Sequence, residues 1–204
     1  MHDFLAIIAG TVGTVAAIPY IVDTLKGRTR PNIVSWVTWT LLNCILATAA
    51  LAAGADQTAI FAMAAGLCTG AVVVAGIIKD GITQYTTFDV ACQLLAIAGI
   101  VLWQLTDAPV IAIVCAITAS FIGSLPTYRH AWRRPREETW QFYALDGVSA
   151  VIAVVAVAQA DFAALGYPVF IIFSDASILG VVLLRRYMLP AYVPTAAKRR
   201  HARA

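Results

Sequence analysis

The sequence predicts an all-α integral membrane protein in which seven transmembrane helices form two parallel three-helix bundles joined by a linker helix. The first supporting observation is composition: 61% of the 204 residues are hydrophobic and 12% are charged, whereas soluble proteins average about 25% charged residues. The second is a series of apolar runs of about 20 residues, the length of a membrane-spanning helix. The third is an internal repeat. Together these observations exclude a soluble enzyme and a disordered chain.

Seven apolar runs separated by short polar breaks define the predicted helices. The first run has no basic stretch before it and no convincing small-residue cleavage site, so we expect a retained helix rather than a signal peptide. The predicted spans cover residues 4–25, 32–53, 58–78, 88–105, 110–132, 139–158 and 167–186.

The polar breaks alternate in charge, and this alternation predicts the orientation in the membrane. All 14 Lys and Arg lie at the first, third and fifth breaks and in the segment from Arg185 onward. Because basic loops stay on the cytoplasmic side, we expect the amino terminus outside and the carboxyl terminus in the cytoplasm. The high Ala and Val content favours a bacterial inner membrane. The net charge of +3 does not indicate a nucleic-acid partner, because the basic residues are confined to loops between apolar segments.

Two segments of the chain share one pattern. They read AIPYIVDTLKGRTRPNIVSWVTW and SLPTYRHAWRRPREETWQFY. Each has a proline near the end of a helix, then a basic loop, then a hydroxyl residue followed by two aromatic residues three apart. A single helix between the copies gives both the same direction in the membrane. The predicted units are residues 1–82 and 107–187 for the two three-helix repeats, 83–106 for the linker helix and 188–204 for a basic cytoplasmic tail.

The proline, the basic loop and the S-W-x-x-W opening of the second helix resemble the PQ-loop superfamily, which includes the SWEET sugar transporters. The resemblance extends over the whole chain through its 3+1+3 layout. It implies a carrier that works by alternating access, and it favours sugars as solutes. Where the family usually has glutamine after the proline, this chain has Tyr20 and Thr127. Thr69 and Asp175 take the approximate places of the asparagines that SWEETs carry in the third helix of each repeat.

Asp175 is the strongest candidate for a functional polar residue. It lies ten residues before Arg185, about 15 Å along a helix, which places it near the bilayer midplane. Ionisable residues at that depth usually face the bundle interior and mark a substrate, ion or proton path. The alternative is an acid that ties helices together. Thr69 lies at the same distance from Lys79, so we expect Thr69 and Ser174 to line a substrate-binding cavity with Asp175.

Trp39 and Asn43 are the candidates on the second predicted helix. They are four residues apart and therefore share one helical face. An aromatic ring beside an amide suits a sugar, a nucleoside or a zwitterion. The alternatives are a tryptophan at the membrane interface and an amide that bonds another helix. In the second repeat Tyr143 matches Trp39, Gly147 stands where Asn43 would be, and Asp146 is one position earlier. The two carboxyl groups, Asp146 and Asp175, make proton-coupled transport a hypothesis.

Pro19 and Pro126 occupy matching positions in the two repeats. Each removes a helix hydrogen bond and loosens the end of its helix. We therefore predict that they act as hinges in a conformational cycle. The alternative is that both are prolines that a membrane helix tolerates without a mechanistic role.

The function that the sequence favours is a membrane carrier for a small polar solute such as a sugar, an amino acid or a nucleoside-like molecule. The alternative is a non-transporting seven-helix receptor or partner-binding protein of the same fold. We expect no enzyme, metal site or cofactor, because phosphate-loop, GxSxG and HExxH motifs do not occur. The expected partners are the solute, membrane lipids and, if transport is coupled, protons. Small residues at Ala62, Gly66 and Gly70 also permit a homo-oligomer.

Overall fold

A computed structural model describes residues 2–52, 56–80, 86–105, 109–157 and 162–189 of the chain. Within these ranges the protein contains seven α-helices, one short 3₁₀ helix and no strand. The α-helices are α1 (His2–Leu25), α2 (Ile33–Ala52), α3 (Asp56–Asp80), α4 (Thr87–Gln104), α5 (Pro109–Arg133), α6 (Trp140–Ala156) and α7 (Phe162–Met188), and the 3₁₀ helix is Pro135–Glu137. The predicted all-α fold with seven helices is confirmed.

The helix boundaries agree with the predicted spans to within a few residues, and the largest difference is at α7. This helix begins at Phe162 rather than at residue 167. The prediction ended the preceding loop after Gly166, because Gly166 and Pro168 are weak helix formers. Packing of α7 against α5 and α6 overrides that local preference. The predicted tail from residue 190 onward and parts of four loops lie outside the described residues.

Three helices contain stretches that are long and apolar enough to cross a membrane by length and composition, namely Phe4–Leu25, Met63–Asp80 and Leu165–Met188. Shorter apolar stretches occur in α2, α4 and α6. The outer surface is also apolar: Leu67, Ile78 and Phe173 are between 70% and 74% exposed. Large apolar surfaces of this kind are typical of proteins that contact lipid or another protein.

The helices pack in two groups of three with the same internal arrangement. In the first triad, α1–α3, helix α3 contacts both α1 and α2; in the second triad, α5–α7, helix α7 contacts both α5 and α6. Between the triads α1 contacts α6 and α2 contacts α5, while α4 packs on α5 and α2. If α1, α2 and α3 are exchanged with α5, α6 and α7, each contact within or between the triads becomes another contact that is also present. An approximate twofold relation between the triads produces this pattern.

An aromatic layer, defined here as Tyr20, Trp36, Trp39 and Phe142, forms the centre of the core where the two triads meet. Trp36 is completely buried. Its ring centroid lies 4.5 Å from that of Tyr20, 5.1 Å from that of Trp39 and 4.9 Å from that of Phe142. Because Phe142 belongs to α6 and the other three rings to α1 and α2, this layer is a direct contact between the triads.

Candidate functional site

A cavity of about 190 Å³ lies between the two triads. All six triad helices contribute to its wall, whereas α4 does not. The volume far exceeds the roughly 10–15 Å³ of probe space that one water molecule needs. It lies below the range of about 300–1,000 Å³ that is typical of pockets for drug-sized ligands. The cavity therefore has the size for a few water molecules or one small solute.

Six of the seven residues predicted to bind substrate line this cavity, namely Trp39, Asn43, Thr69, Asp146, Ser174 and Asp175. The seventh, Tyr143, is buried but is not part of the wall. Trp36 is also outside the wall and is completely buried. The structure thus brings together residues that are up to 136 positions apart in the sequence.

The cavity wall follows the internal repeat. Four pairs of positions that match between the triads line it on both sides: Gly13 with Ser120, Ala65 with Ile171, Cys68 with Ser174 and Thr69 with Asp175. The helices α2 and α6 break this correspondence, because α2 contributes Trp39 and Asn43 whereas α6 contributes Asp146. The cavity therefore has a near-symmetric frame and an asymmetric set of polar groups.

Asp146 and Asp175 form a carboxyl pair in the wall. The side chain of Asp175 is buried, with 6% of the residue exposed, and lies within hydrogen-bonding reach of Asp146. Its Oδ2 atom has no hydrogen-bond partner among the described residues. Two carboxylates in contact repel each other, so such a pair is stable when it shares a proton or binds a cation.

The other predicted residues differ in how many of their hydrogen-bonding groups already have a partner within the protein. The Thr69 hydroxyl donates to the carbonyl oxygen of Ala65 at 3.0 Å and accepts a hydrogen bond from Thr40 at 3.1 Å, so it ties α3 to α2. The Asn43 amide donates to the carbonyl of Trp39 in the same helix at 3.0 Å. Asn43 therefore uses this donor within its own helix and not to bond another helix.

Sequence reasoning missed four polar residues of the wall: Thr14, Ser120, Ser149 and Tyr167. Tyr167 was missed because the start of α7 was predicted at residue 167 itself, which placed the tyrosine at the helix margin. Ser149 donates to the carbonyl of Ala9 at 2.7 Å and so joins α6 to α1. For Ser120 the only signal was its match to Gly13 in the repeat, and that signal becomes informative only once the helices are placed.

A second buried acid, Glu138, lies outside the cavity between the 3₁₀ helix and α6. It was not among the predicted residues, because the sequence around it reads as a charged loop. Its carboxylate accepts hydrogen bonds from the hydroxyls of Tyr20 and Tyr143, each at 2.9 Å. Glu138 is 1% exposed, and His130 Nε2 lies 3.9 Å from its second carboxylate oxygen. The predicted substrate residue Tyr143 thus contacts this acid instead of the cavity.

Burial raises the pKa of Glu138 to about 7, above the value of about 4.3 for glutamate in water. The hydrogen bonds from Tyr20 and Tyr143 and the positive charge of Arg186 lower the pKa by less than burial raises it. Glu137 adds a smaller upward contribution. The ionised and protonated forms of Glu138 are therefore both populated near neutral pH.

Hydrogen bonds around Glu138 join two of the predicted basic loops, the loop after α1 and the loop after α5. The backbone N–H of Arg30 donates to the carbonyl of Glu137 at 2.9 Å, and the hydroxyls of Thr29 and Thr139 are bonded at 2.5 Å. Arg186 donates to the carbonyl oxygen of Pro135 at 2.9 Å. We call this set of contacts, centred on Glu138, the loop latch. It holds α1, α6 and α7 together at one end of the molecule.

The aromatic layer separates the cavity from the loop latch. Trp39 and Phe142 face the cavity, and Tyr20 on the other side of Trp36 donates its hydroxyl to Glu138. The predicted hinge Pro19 immediately precedes Tyr20 within α1, and the predicted hinge Pro126 is buried within α5. Both prolines therefore lie in helices that contact Glu138, α1 through Tyr20 and α5 through His130. The hinge role of the two prolines stays a prediction.

No family model, no curated protein and no solved structure matches this chain.

Proposed function

We propose that the protein is a seven-span membrane carrier of the PQ-loop type that moves a small polar solute by alternating access. The observation that carries the proposal is the cavity at the interface of the two triads, with its polar groups supplied by both. Carriers built from parallel repeats bind their solute at the repeat interface and change access by moving one repeat against the other. The near-symmetric frame of the wall supports such a movement.

The proposal assigns the bilayer to the apolar surface of the helices. The three helices that are apolar enough to span and the exposed Leu67, Ile78 and Phe173 support it. The four other helices complete the spans. The basic loops then lie in the cytoplasm of a bacterial cell, with the amino terminus outside, so the loop latch is at the cytoplasmic end.

In this scheme the structure corresponds to a form closed on the cytoplasmic side. The aromatic layer and the loop latch lie between the cavity and that end, so solute release to the cytoplasm requires both to open. Pro19 and Pro126 are positioned to bend α1 and α5 in this step. Replacement of Pro19 by alanine is expected to slow exchange through the cavity and to leave solute binding unchanged, as flux and binding assays would measure.

Access to Cys68 tests the proposal before the solute is identified. Cys68 lines the cavity and is half-buried. A variant that keeps Cys68 and replaces Cys44, Cys92 and Cys115 by serine is reconstituted in oriented vesicles and treated with membrane-impermeant thiol reagents from each side. Alternating access predicts reaction from both sides. A variant that keeps only Cys115, which is buried outside the cavity, is the control and should react from neither side.

Reaction of Cys68 from one side only would contradict the carrier and would support the alternative of a receptor. If Cys68 reacts from both sides, flux of labelled sugars, amino acids and nucleosides into the same vesicles identifies the solute class. Protection of Cys68 by the transported solute would then place the solute in this cavity.

A further inference from the structure

The described residues of the cavity wall include two acids, Asp146 and Asp175, and none of them is Lys, Arg or His. Sugars and nucleosides carry no charge that needs two carboxyl groups. A zwitterion needs a positive group for its own carboxylate, and none of the described wall residues supplies one. The charge of the wall therefore favours a ligand that is itself positive.

Asp175 supplies a second, independent indication of a ligand. Its residue is 6% exposed and lines the cavity, and its Oδ2 atom lacks a hydrogen-bond partner among the described residues. A buried acceptor without a donor destabilises the protein, and more so when it is charged. A donor that enters the cavity with its own positive charge would remove this penalty.

The aromatic rings of the wall favour the same class of ligand. Trp39, Phe142 and Tyr167 come from three different helices and line the cavity together. The face of an aromatic ring attracts a cation that lies within about 6 Å of its centre, with the strongest attraction when the cation is shielded from water. Carboxyl groups and ring faces in one small cavity form the combination that recognises an ammonium group.

We propose that the cavity binds a small organic ammonium ion, with its N–H groups directed to the Asp146–Asp175 pair and its carbon chain against the aromatic rings. The proposal rests on the proposed carrier function, since it specifies the solute of the same cavity. The pair holds either a shared proton or the ammonium ion, so the two ligands compete. Exchange of an ammonium ion for a proton follows as the transport reaction.

The competition between the proton and the ammonium ion depends on the titratable groups that face the Asp146–Asp175 pair from each helix. Besides the pair itself on α6 and α7, the titratable lining residues are Tyr167 on α7 and Cys68 on α3. The wall positions of α1, α2 and α5 carry no titratable side chain among the described residues. Acidification therefore adds its proton to the carboxyl pair and weakens ammonium binding.

The test measures protection of Cys68 in the detergent-purified variant that keeps this thiol alone. The probes are butylammonium and ethanolammonium, and the matched neutral controls are butan-1-ol and ethylene glycol, in which a hydroxyl replaces the ammonium group. A ligand at ten times its dissociation constant leaves about a tenth of the cavities free, so thiol labelling should slow about tenfold with the cations. The alcohols should leave the labelling rate unchanged.

Two variants locate the interaction. Asp175→Asn should weaken protection by butylammonium about tenfold or more, because a charged hydrogen bond is lost. Asp80→Asn removes the same charge at the end of α3, outside the cavity wall, and should leave protection unchanged. If Asp175→Asn does not fold, the comparison of cations with alcohols on the parent protein still decides the question.

Equal protection by the alcohols, or no protection by either cation, would overturn the ammonium proposal. Protection by glucose or glycine in place of the cations would do the same and leave the carrier proposal standing. Protection by the cations together with reaction of Cys68 from one side only would support the ammonium site and contradict the carrier.

Discussion

Two of the regions where the protein buries an acid, the cavity and the loop latch, differ in what surrounds that acid. In the cavity Asp175 lines an open volume and keeps one oxygen without a partner among the described residues. At the loop latch Glu138 accepts two tyrosine hydroxyls on its Oε2 atom, and its Oε1 atom, which has no hydrogen-bond partner among the described residues, lies 3.9 Å from His130 Nε2. An acid that faces a cavity is available to a ligand, whereas an acid held by hydroxyl donors stabilises a packed arrangement. The first is suited to recognition and the second to closure.

The two regions also differ in how a proton acts on them. A proton on the carboxyl pair removes the negative charge that attracts a cation. A proton on Glu138 removes a charge that burial destabilises, so protonation favours the closed latch. If the latch opens as the proposed carrier cycle requires, water would reach Glu138 and its pKa would return toward the ordinary value of about 4.3. Such an opening would release a proton from Glu138 near neutral pH, independently of the cavity.

The largest expected effect is the loss of stability with rising pH that Glu138 causes. The folded-state pKa of about 7 is above the unfolded value, so the contribution of Glu138 is most favourable below about pH 4.3 and is lost as pH rises through 7. Over that window the loss is on the order of 3 kcal/mol. Thermal unfolding in detergent at pH 5 and pH 8 should show the parent protein losing more stability than Glu138→Gln.

The glutamine variant isolates this effect, because it keeps the size of the side chain and cannot ionise. Asp80→Asn is the matched control, since Asp80 lies at the end of α3 and its ion pair with Arg30 is partly exposed. It should show the same pH dependence as the parent protein. A parent protein and Glu138→Gln with parallel stability profiles would show that Glu138 is not buried as described.

The next effect distinguishes the two regions through a single residue, Tyr143. The sequence predicted that Tyr143 binds substrate, and the structure places its hydroxyl 2.9 Å from the Glu138 carboxylate. Tyr143→Phe should destabilise the fold by about 1.5–3 kcal/mol at pH 8, where Glu138 is ionised, and by less at pH 5. Thermal unfolding at both pH values measures the difference.

Tyr167→Phe is the matched change on the cavity side, because Tyr167 lines the cavity and does not contact Glu138. It should leave the pH dependence of stability unchanged. Conversely, Tyr143→Phe should leave the protection of Cys68 by butylammonium unchanged. If Tyr143→Phe weakens that protection and leaves the pH profile unchanged, Tyr143 acts in the cavity as the sequence predicted.

The cavity region was largely predictable from sequence because most of its residues can be recognised individually, without knowledge of the others. Asp175 is conspicuous as an acid in an apolar run, and its match to Thr69 follows from counting residues to the next cation. Helix periodicity then places Trp39 and Asn43 on one face. None of these steps depends on how the helices pack, so each could be taken from the sequence alone. Six of the seven predicted residues line the wall.

The loop latch could not be predicted in this way. Glu138 is one of several charges in a loop, and only the fold shows that Tyr20, 118 positions away, donates to it. The one signal in the sequence was Tyr20 itself, an unexpected residue after Pro19 at a predicted helix end. Burial of a loop residue depends on contacts between distant segments, and a pattern along the chain carries no such information.

The smallest expected effect concerns Gly13, where α1 lies close to Ser149 and Asp146 of α6. A Cβ atom at Gly13 would lie 3.0 Å from Ser149 Oγ and 3.5 Å from Asp146 Oδ1, whereas a Cβ at Gly180 would have no neighbour within 4 Å. Alanine in a helix is favoured over glycine by about 1 kcal/mol, so Gly180→Ala should be neutral or stabilising. Gly13→Ala should lose that gain through crowding of Ser149 and come out less stable than Gly180→Ala by about 1 kcal/mol. Its pH profile should match the parent's, because Glu138 is untouched. A changed profile would mean that the cavity and the latch respond to one another and are a single region.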